Sequence, residues 1–481
     1  MIKSLRLSGA FVLVLFISLF LSTSVVQVLA ANTISNDDRN VRNLYQSFSA
    51  ERGQIFAGNV EVAASVPVES QYRFLRTYPF PELYAPVVGY YTLNQGNAGI
   101  ESALNPLLTG QASSQFMEQV NALVTGSTPK GATVVLTIDH ELQQVAAEAL
   151  GDRAGAVVAI EPSTGRILAM VSSPSFDPNQ LAAHSTSQVL QYYESMVSSD
   201  DDPLANRAIA GDQYFPGSVF KVLVAAAAIE SGRFQADSEF ENLPELRLPL
   251  SNAIVTNSGG RLCGIGETVT LETALSLSCN VPFAELGRDL GEGAIGEMAD
   301  RFGFEARLEI PLDVTPSRYP RGMDQAQLML SSFGQYDVRV TPLQVAMISA
   351  AVANNGELMT PRLVEEVLAN DLRVLERSES SVYSAPMSSR TAEEVGRMMV
   401  SSVQQGVASA AQISGVTVAG KTGTAETGIG EGRSFWFTGF APANAPEVAV
   451  AVVVEGDSAD GTGNSVAGPI ARAVLEKVVA K

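Results

Sequence analysis

The chain has 481 residues, 46% of them hydrophobic and 17% charged, too long and too apolar for a disordered polymer or a disulfide-stapled miniprotein. Its formal net charge of -20 leaves no basic field for phosphates, so no nucleic-acid partner is expected. With two histidines only, His140 and His184, Ser-His-Asp catalysis and His-rich metal sites have little to draw on, and a nucleophile here needs another base.

At the start, Lys3 and Arg6 precede an uncharged run from Leu7 to Ala31, long enough to span a bilayer. It reads as a retained single-pass anchor. A signal peptide cleaved near Val28 and Ala30 is the competing reading. Either way the positive flank stays cytoplasmic, and the chain after about Asn32 is expected outside the membrane, where Cys263 and Cys279 can pair. From Asn32 to about Lys130 the periodicity is weak, with an aromatic-rich extended piece at Tyr84 to Tyr91, and a small α+β domain is expected.

Thr133 to Ile138 follows as a short strand, and Asp139 caps a helix that places Leu142, Val145, Ala146 and Ala149 on one apolar face. Gln144 stands where a metalloprotease helix would repeat His140, so that zinc motif is missing and no metal is expected. Ala156 to Ile160 and Ile167 to Val171 read as buried strands joined by the turn formers Pro162 to Gly165. Thr341, Pro342 and Gln344 supply an N-cap, a first-turn proline and a capping-box partner for a helix running to Asn355 and Gly356. Phe435 to Phe440 and Val448 to Val454 are predicted strands, and Val466 to Val479 a closing helix. Loops are marked at Ser198 to Asp202, Ser378 to Ser389, Gly428 to Gly432 and Asp457 to Asn464. The sum is an α+β fold, an antiparallel sheet covered by helices.

Three short motifs carry chemistry. Ser218 and Lys221 follow the breakers Pro216 and Gly217 and lead into the apolar stretch Leu223 to Ile229, so the serine sits at a helix N-terminus with the lysine on the same face. First-turn amides can stabilise an oxyanion there, and a neutral Lys221 can take the Ser218 proton. Ser278 and Asn280, at the end of a helical run from Glu272 to Leu277, can pass a proton and grip a peptide carbonyl. Lys421, Thr422, Gly423 and Thr424, on a predicted edge strand, can bind a carboxylate, with Gly423 admitting a ligand backbone. Singly, each has an ordinary explanation: a capped helix with a solvated lysine, helix-end residues, an exposed polar strand. Together and in this order, Ser-X-X-Lys, a Ser-Asn element and Lys-Thr-Gly are the signature of serine β-lactamases and penicillin-binding proteins.

The chain resembles class B penicillin-binding proteins, most closely their short A type. Beyond the three motifs, Arg52 to Ile55 match the Arg-Gly-X-Ile start of the family's non-catalytic domain, and Gly99, Ile100 and Glu101 match a second landmark. Asn206 to Ala208, Gly334 and Gln335, Val340 to Pro342 and Trp436 to Pro442 fit as well. The resemblance implies an anchor over 1–31, a dimerisation-like non-catalytic α+β domain over 32–136 and a transpeptidase domain of penicillin-binding/β-lactamase type over 137–481.

It also implies a mechanism without a cofactor. Ser218 would attack the D-Ala-D-Ala end of a peptidoglycan stem peptide, and a neighbouring stem's amine would resolve the acyl-enzyme. Lys221 would be the base, Ser278 a relay, Asn280 a holder of the donor amide, and Lys421 with Thr422 and Thr424 the receiver of the substrate carboxylate. The amides of Ser218 and Thr424 would form the oxyanion hole. Implied partners are peptidoglycan stem peptides, β-lactam antibiotics, the membrane, and cell-wall synthesis or division proteins. Cys279 occupies the variable middle position of the second motif, and a bridge to Cys263 would steady that motif, two unpaired buried cysteines being the alternative. A class A β-lactamase would need an aspartate at 279, and a bifunctional polymerase would need a longer region before Ser218. A D,D-carboxypeptidase and a non-catalytic β-lactam-binding sensor or scaffold share the three motifs.

Overall fold

The computed structural model describes residues 2–29, 48, 50–70, 72–125, 130–210, 213–308, 310–426 and 432–480. Ile2–Ser24 is helical and continues through a wider turn at Val25–Leu29. The segment Arg6–Gln27 has a hydropathy of 2.4 and buries none of itself against the rest of the chain, so it is long and apolar enough to cross a bilayer. Residues 30 and 31, with the Ala30 cleavage position, lie outside the described residues, as does the expected Gly428 to Gly432 loop except Gly432.

Five antiparallel strands form the central sheet in the order Ala419–Glu426, Gly432–Ala441, Val448–Asp457, Gly155–Ile160, Ile167–Ser173. Strand alternation divides its side chains between two cores. Val450, Val452, Phe435 and Phe437 meet the closing helix Gly463–Val479 and the helix His140–Leu150 on one face. Ala449, Ala451, Val453 and Trp436 meet the opposite core, which contains the helices Lys221–Glu230 and Pro342–Ala353. Every residue of Pro342–Ala353 is buried, which is why that helix has no polar face.

Local signals set several boundaries. The Asp139 carboxylate accepts from Leu142 N at 3.0 Å, and Thr341 Oγ1 accepts from Gln344 N at 3.2 Å. The capping box expected at Thr341 is only half made. Gln344 Nε2 instead donates to Phe302 O at 2.8 Å, while the Thr341 amide finds Ser317 Oγ at 3.2 Å, because in a fully buried helix the side chain must satisfy a distant carbonyl.

A second, six-stranded sheet runs in the order Val374–Arg377, Val364–Leu368, Thr133–Leu136, Ile55–Ala57, Val60–Pro67, Phe74–Thr77. Thr133–Leu136 pairs parallel with Ile55–Ala57 and antiparallel with Val364–Leu368, so a late hairpin completes the early sheet. The two N-terminal landmarks meet here. Arg52 Nε reaches Glu101 Oε2 at 2.5 Å and Arg76 Nε reaches Glu101 Oε1 at 2.6 Å, all three residues being buried. Gly53 admits no side chain, since a Cβ would fall 1.8 Å from Ala132 O.

The extended reading of Tyr84 to Tyr91 is corrected, because Pro81–Val88 is a helix with Pro81 in its first turn. Pro86 inside it removes the amide that would bond Glu82 O, and Ser175 Oγ donates to that carbonyl at 2.8 Å instead. The Ser378 to Ser389 region, expected as loop, contains the short strand Val382–Ser384, paired with Leu358–Met359.

Candidate active site

The turn that carries Ser218 is built by close backbone approach. Gly217–Phe220 forms a 3-10 turn that feeds the helix Lys221–Glu230, so Ser218 lies one turn ahead of the α-helix proper and is half-buried. Gly217 has φ +53° and donates its amide to Gly334 O at 2.9 Å. Gly334, at φ +79°, could carry no side chain, because a Cβ there would sit 2.0 Å from Gly217 O. On the other side Gly423 lies against Pro216 O, where a Cβ would come within 3.0 Å. Ser218 is therefore held between the Gly334 loop and the edge strand Ala419–Glu426.

Lys221, Ser278, Asn280 and Lys421 are joined directly. Lys221 Nζ donates to Ser278 O and to Asn280 Oδ1, both at 2.8 Å. Lys421 Nζ donates to Ser278 Oγ and to Thr422 O, both at 2.7 Å. Ser278 adopts φ +61°, a conformation a non-glycine residue holds only when its surroundings enforce it. No hydrogen bond among the described residues joins Ser218 Oγ to Lys221 Nζ, whose protons are directed to the second motif; catalytic hydrogen bonds commonly tighten only in the complex with substrate.

Neither lysine is solvated, both being fully buried. Burial, and next the neighbouring Lys421, hold the Lys221 amine well below the ordinary lysine range. Lys421 is pushed down to about 7 by burial. The Phe283 ring, 5.4 Å from Lys221 Nζ, supplies part of that apolar wall.

Strand alternation separates the residues of the third motif. Lys421 pairs with Thr438 and Gly423 with Trp436, on the face of the Lys221–Glu230 helix, whereas Thr422 and Thr424 pair with Phe437 and Phe435 on the other. Thr424 Oγ1 accepts from Gly463 N, the first residue of the closing helix, at 3.1 Å. Cys263 and Cys279 are bonded to each other, with Cα atoms 5.8 Å apart.

Asn257 carries no catalytic signal in the sequence. Its Oδ1 accepts from Asn280 N at 2.9 Å and Val281 N at 3.0 Å, directly behind the second motif. Followed by Ser258, Gly259 and Gly260, it reads only as a turn former, and its partners lie 23 and 24 residues away.

Residues 155–476 match the model of the penicillin-binding protein transpeptidase domain. The chain belongs to that family. Residues 52–134 match the dimerisation domain of penicillin-binding protein A. Among curated relatives in the family, the peptidoglycan D,D-transpeptidase PbpA of Mycolicibacterium smegmatis is 40% identical over 98% of both chains. Penicillin-binding protein A from M. tuberculosis, solved as its imipenem acyl-enzyme complex, superposes with a TM-score of 0.86 at 40% identity, covering 90% of this chain and 100% of that one. Its penicillin G acyl-enzyme complex gives 0.85 at the same identity, over 89% and 100%.

Proposed function

We propose that this chain is a peptidoglycan D,D-transpeptidase that forms its acyl-enzyme on Ser218. The observation that carries the role assignment is the pair of buried lysines meeting at Ser278, Lys221 at its carbonyl and Lys421 at its hydroxyl. A neutral Lys221 accepts the Ser218 proton as Oγ attacks the penultimate carbonyl of the D-Ala-D-Ala terminus. The oxyanion is held by the amides of Ser218 and Thr424. Collapse of the tetrahedral intermediate breaks the peptide bond, and the proton passes through Ser278 to the departing D-alanine amine. A neighbouring stem's amine then attacks the ester, loses its proton to the same relay and restores Ser218. Asn280 grips the donor amide, Lys421 orients the Ser278 hydroxyl and attracts the terminal carboxylate, and Gly423 keeps the strand open to it, while Thr422 and Thr424 support the edge strand from its other face. β-Lactams acylate Ser218 because their strained amide takes the place of the scissile peptide.

In this reading the N-terminal helix is a retained anchor, residues 32–136 form the non-catalytic domain and residues 137–481 the extracytoplasmic catalytic one, the first engaging other cell-wall synthesis or division proteins. The test is intact mass of the full-length chain in detergent after benzylpenicillin, beside Ser218→Ala. An adduct on the native chain alone is expected; no adduct, or one surviving Ser218→Ala, overturns the nucleophile. Incubating a D-Ala-D-Ala donor with an acceptor amine then separates crosslinking from hydrolysis by a carboxypeptidase and from a scaffold without turnover.

A further inference from the structure

The helix Val281–Leu290 begins at Asn280, a residue type that ordinarily caps its own helix by accepting an amide of the first turn. Here it makes no such bond. Its Oδ1 is taken by Lys221 Nζ at 2.8 Å, and its Nδ2 donates to Thr256 O at 2.9 Å. The amides of Asn280 and Val281 go instead to Asn257 Oδ1, at 2.9 and 3.0 Å. Asn257 Nδ2 donates to Leu243 O at 2.9 Å and Arg261 O at 3.1 Å, so all four hydrogen-bonding positions of this buried carboxamide are used.

We infer that Asn257 is a positioning residue for acyl transfer: by clamping the first two amides of the Val281–Leu290 helix start from a separate loop, it holds the Asn280 carboxamide toward Lys221 and the substrate. The inference rests on the reading of Ser218 and Lys221 given above. A helix start deprived of this clamp leaves two buried amides unpaired, so the Asn280 backbone must shift to find new partners and carries its carboxamide away from Lys221 Nζ. The loop is braced for the task. Cys263, bonded to Cys279 beside Asn280, also donates its amide to Asn242 Oδ1 at 2.7 Å. Aspartate at 257 would keep the cap but lose the donors to Leu243 and Arg261 and add a negative charge near Lys221. Lys221 faces Ser278 and Asn280 from the loop, Phe283 from the helix and, as its charged neighbour, Lys421 from the strand.

The test measures acylation of the full-length chain by benzylpenicillin across pH, with the adduct located by mass, for Asn257→Ala, Asn280→Ala, the double variant and Asn257→Asp. Asn280→Ala is expected to slow acylation about tenfold in the native background and less than about threefold in Asn257→Ala, because the Asn280 carboxamide has already shifted off Lys221 there. Asn257→Asp is expected to move the rising limb of the pH profile upward by about half a unit or more, a shift that loss of packing alone would not produce. Additive effects of the two alanine variants, or an unmoved limb in Asn257→Asp, would overturn the assignment; if Asn257→Ala does not fold, the aspartate variant decides alone. A native chain that takes no adduct at Ser218 would remove the proposed function and this inference with it, whereas normal native acylation with either overturning result would remove this inference only.

Discussion

Glu101 and Lys221 are both completely buried, yet among the described residues only Glu101 has counter-charges within ion-pair distance. Arg52 and Arg76 each hold one of its oxygens, at 2.5 and 2.6 Å, and Tyr78 OH adds a bond at 3.2 Å. Burial by itself would raise the Glu101 pKa, but Arg76 and Arg52 outweigh it and hold the carboxyl below the usual range. Around Lys221 and Lys421 the bonded acceptors are carbonyl and hydroxyl oxygens, and among the described residues neither ammonium is within ion-pair distance of a carboxylate. Burial is then unopposed and holds both amines below the ordinary lysine range. The same cost of desolvation thus gives a fixed ion network in one region and the amine proposed as a base in the other, and what separates them is a carboxylate.

The sharpest break of that contrast is Lys221→Ala. Removing the base should slow Ser218 acylation by about 10²- to 10⁴-fold while thermal unfolding shows an intact fold. An acylation rate within a few-fold of the native chain would mean that another group takes the proton. Glu101→Gln acts on the other region, leaving two buried guanidiniums short of a counter-charge, and should cost about 3–5 kcal/mol in denaturant unfolding. The molecules that remain folded should acylate at the native rate. A carboxyl whose pKa is depressed on folding contributes stability above its unfolded pKa, and that stability is lost as pH falls through the folded value; the glutamine variant should lack this part of the acid limb.

The bridge between Cys263 and Cys279, 16 residues apart, couples stability to the catalytic side of the comparison. Replacing both cysteines by serine should lower unfolding free energy by about 3 kcal/mol in the chain-entropy model, and slow acylation in parallel because Ser278 and Asn280 flank one end of the bridge. Unchanged acylation in a destabilised variant would confine the bridge to a structural role.

Much of this arrangement is legible wherever the physics is local. Asp139 and Thr341 mark helix starts because a cap acts within three residues, and the strand residues Val448 to Val454 stand out because both faces are buried there. The residues proposed as catalytic are recognisable because each motif is a short run whose order along the chain carries the information. What is hidden depends on distant partners. The helix Pro81–Val88 tolerates Pro86 only because Ser175 supplies a donor 93 residues away from Glu82, and no local pattern contains that. Val364–Leu368 joins the early sheet through Thr133–Leu136, and Asn257 serves a helix that starts after it by more than twenty residues. The separation of Lys421 from the two threonines needs only the strand period of two, and the sequence pattern already contains it.

The smallest predicted change is the most telling for the comparison, because its sign on stability is opposite to that of Glu101→Gln. Lys421 is pushed down to about 7 from 10.5 by burial, so the folded state binds fewer protons than the unfolded one between those values, and stability should rise with pH across that window. The penalty is complete below about 7 and is relieved as pH approaches the ordinary lysine range. Lys421→Met keeps the volume and removes the penalty, at the loss of the bonds to Ser278 Oγ and Thr422 O. A net gain of about 1 kcal/mol at pH 6, shrinking toward pH 10, is expected in unfolding experiments. Function should move the other way. With its cationic neighbour gone, Lys221 holds its proton to higher pH, so acylation should slow and its rising limb should shift upward. A Met variant that is less stable at pH 6, with an unmoved limb, would mean that Lys421 is kept for its hydrogen bonds, and that its burial is not the source of the strain that makes this site reactive.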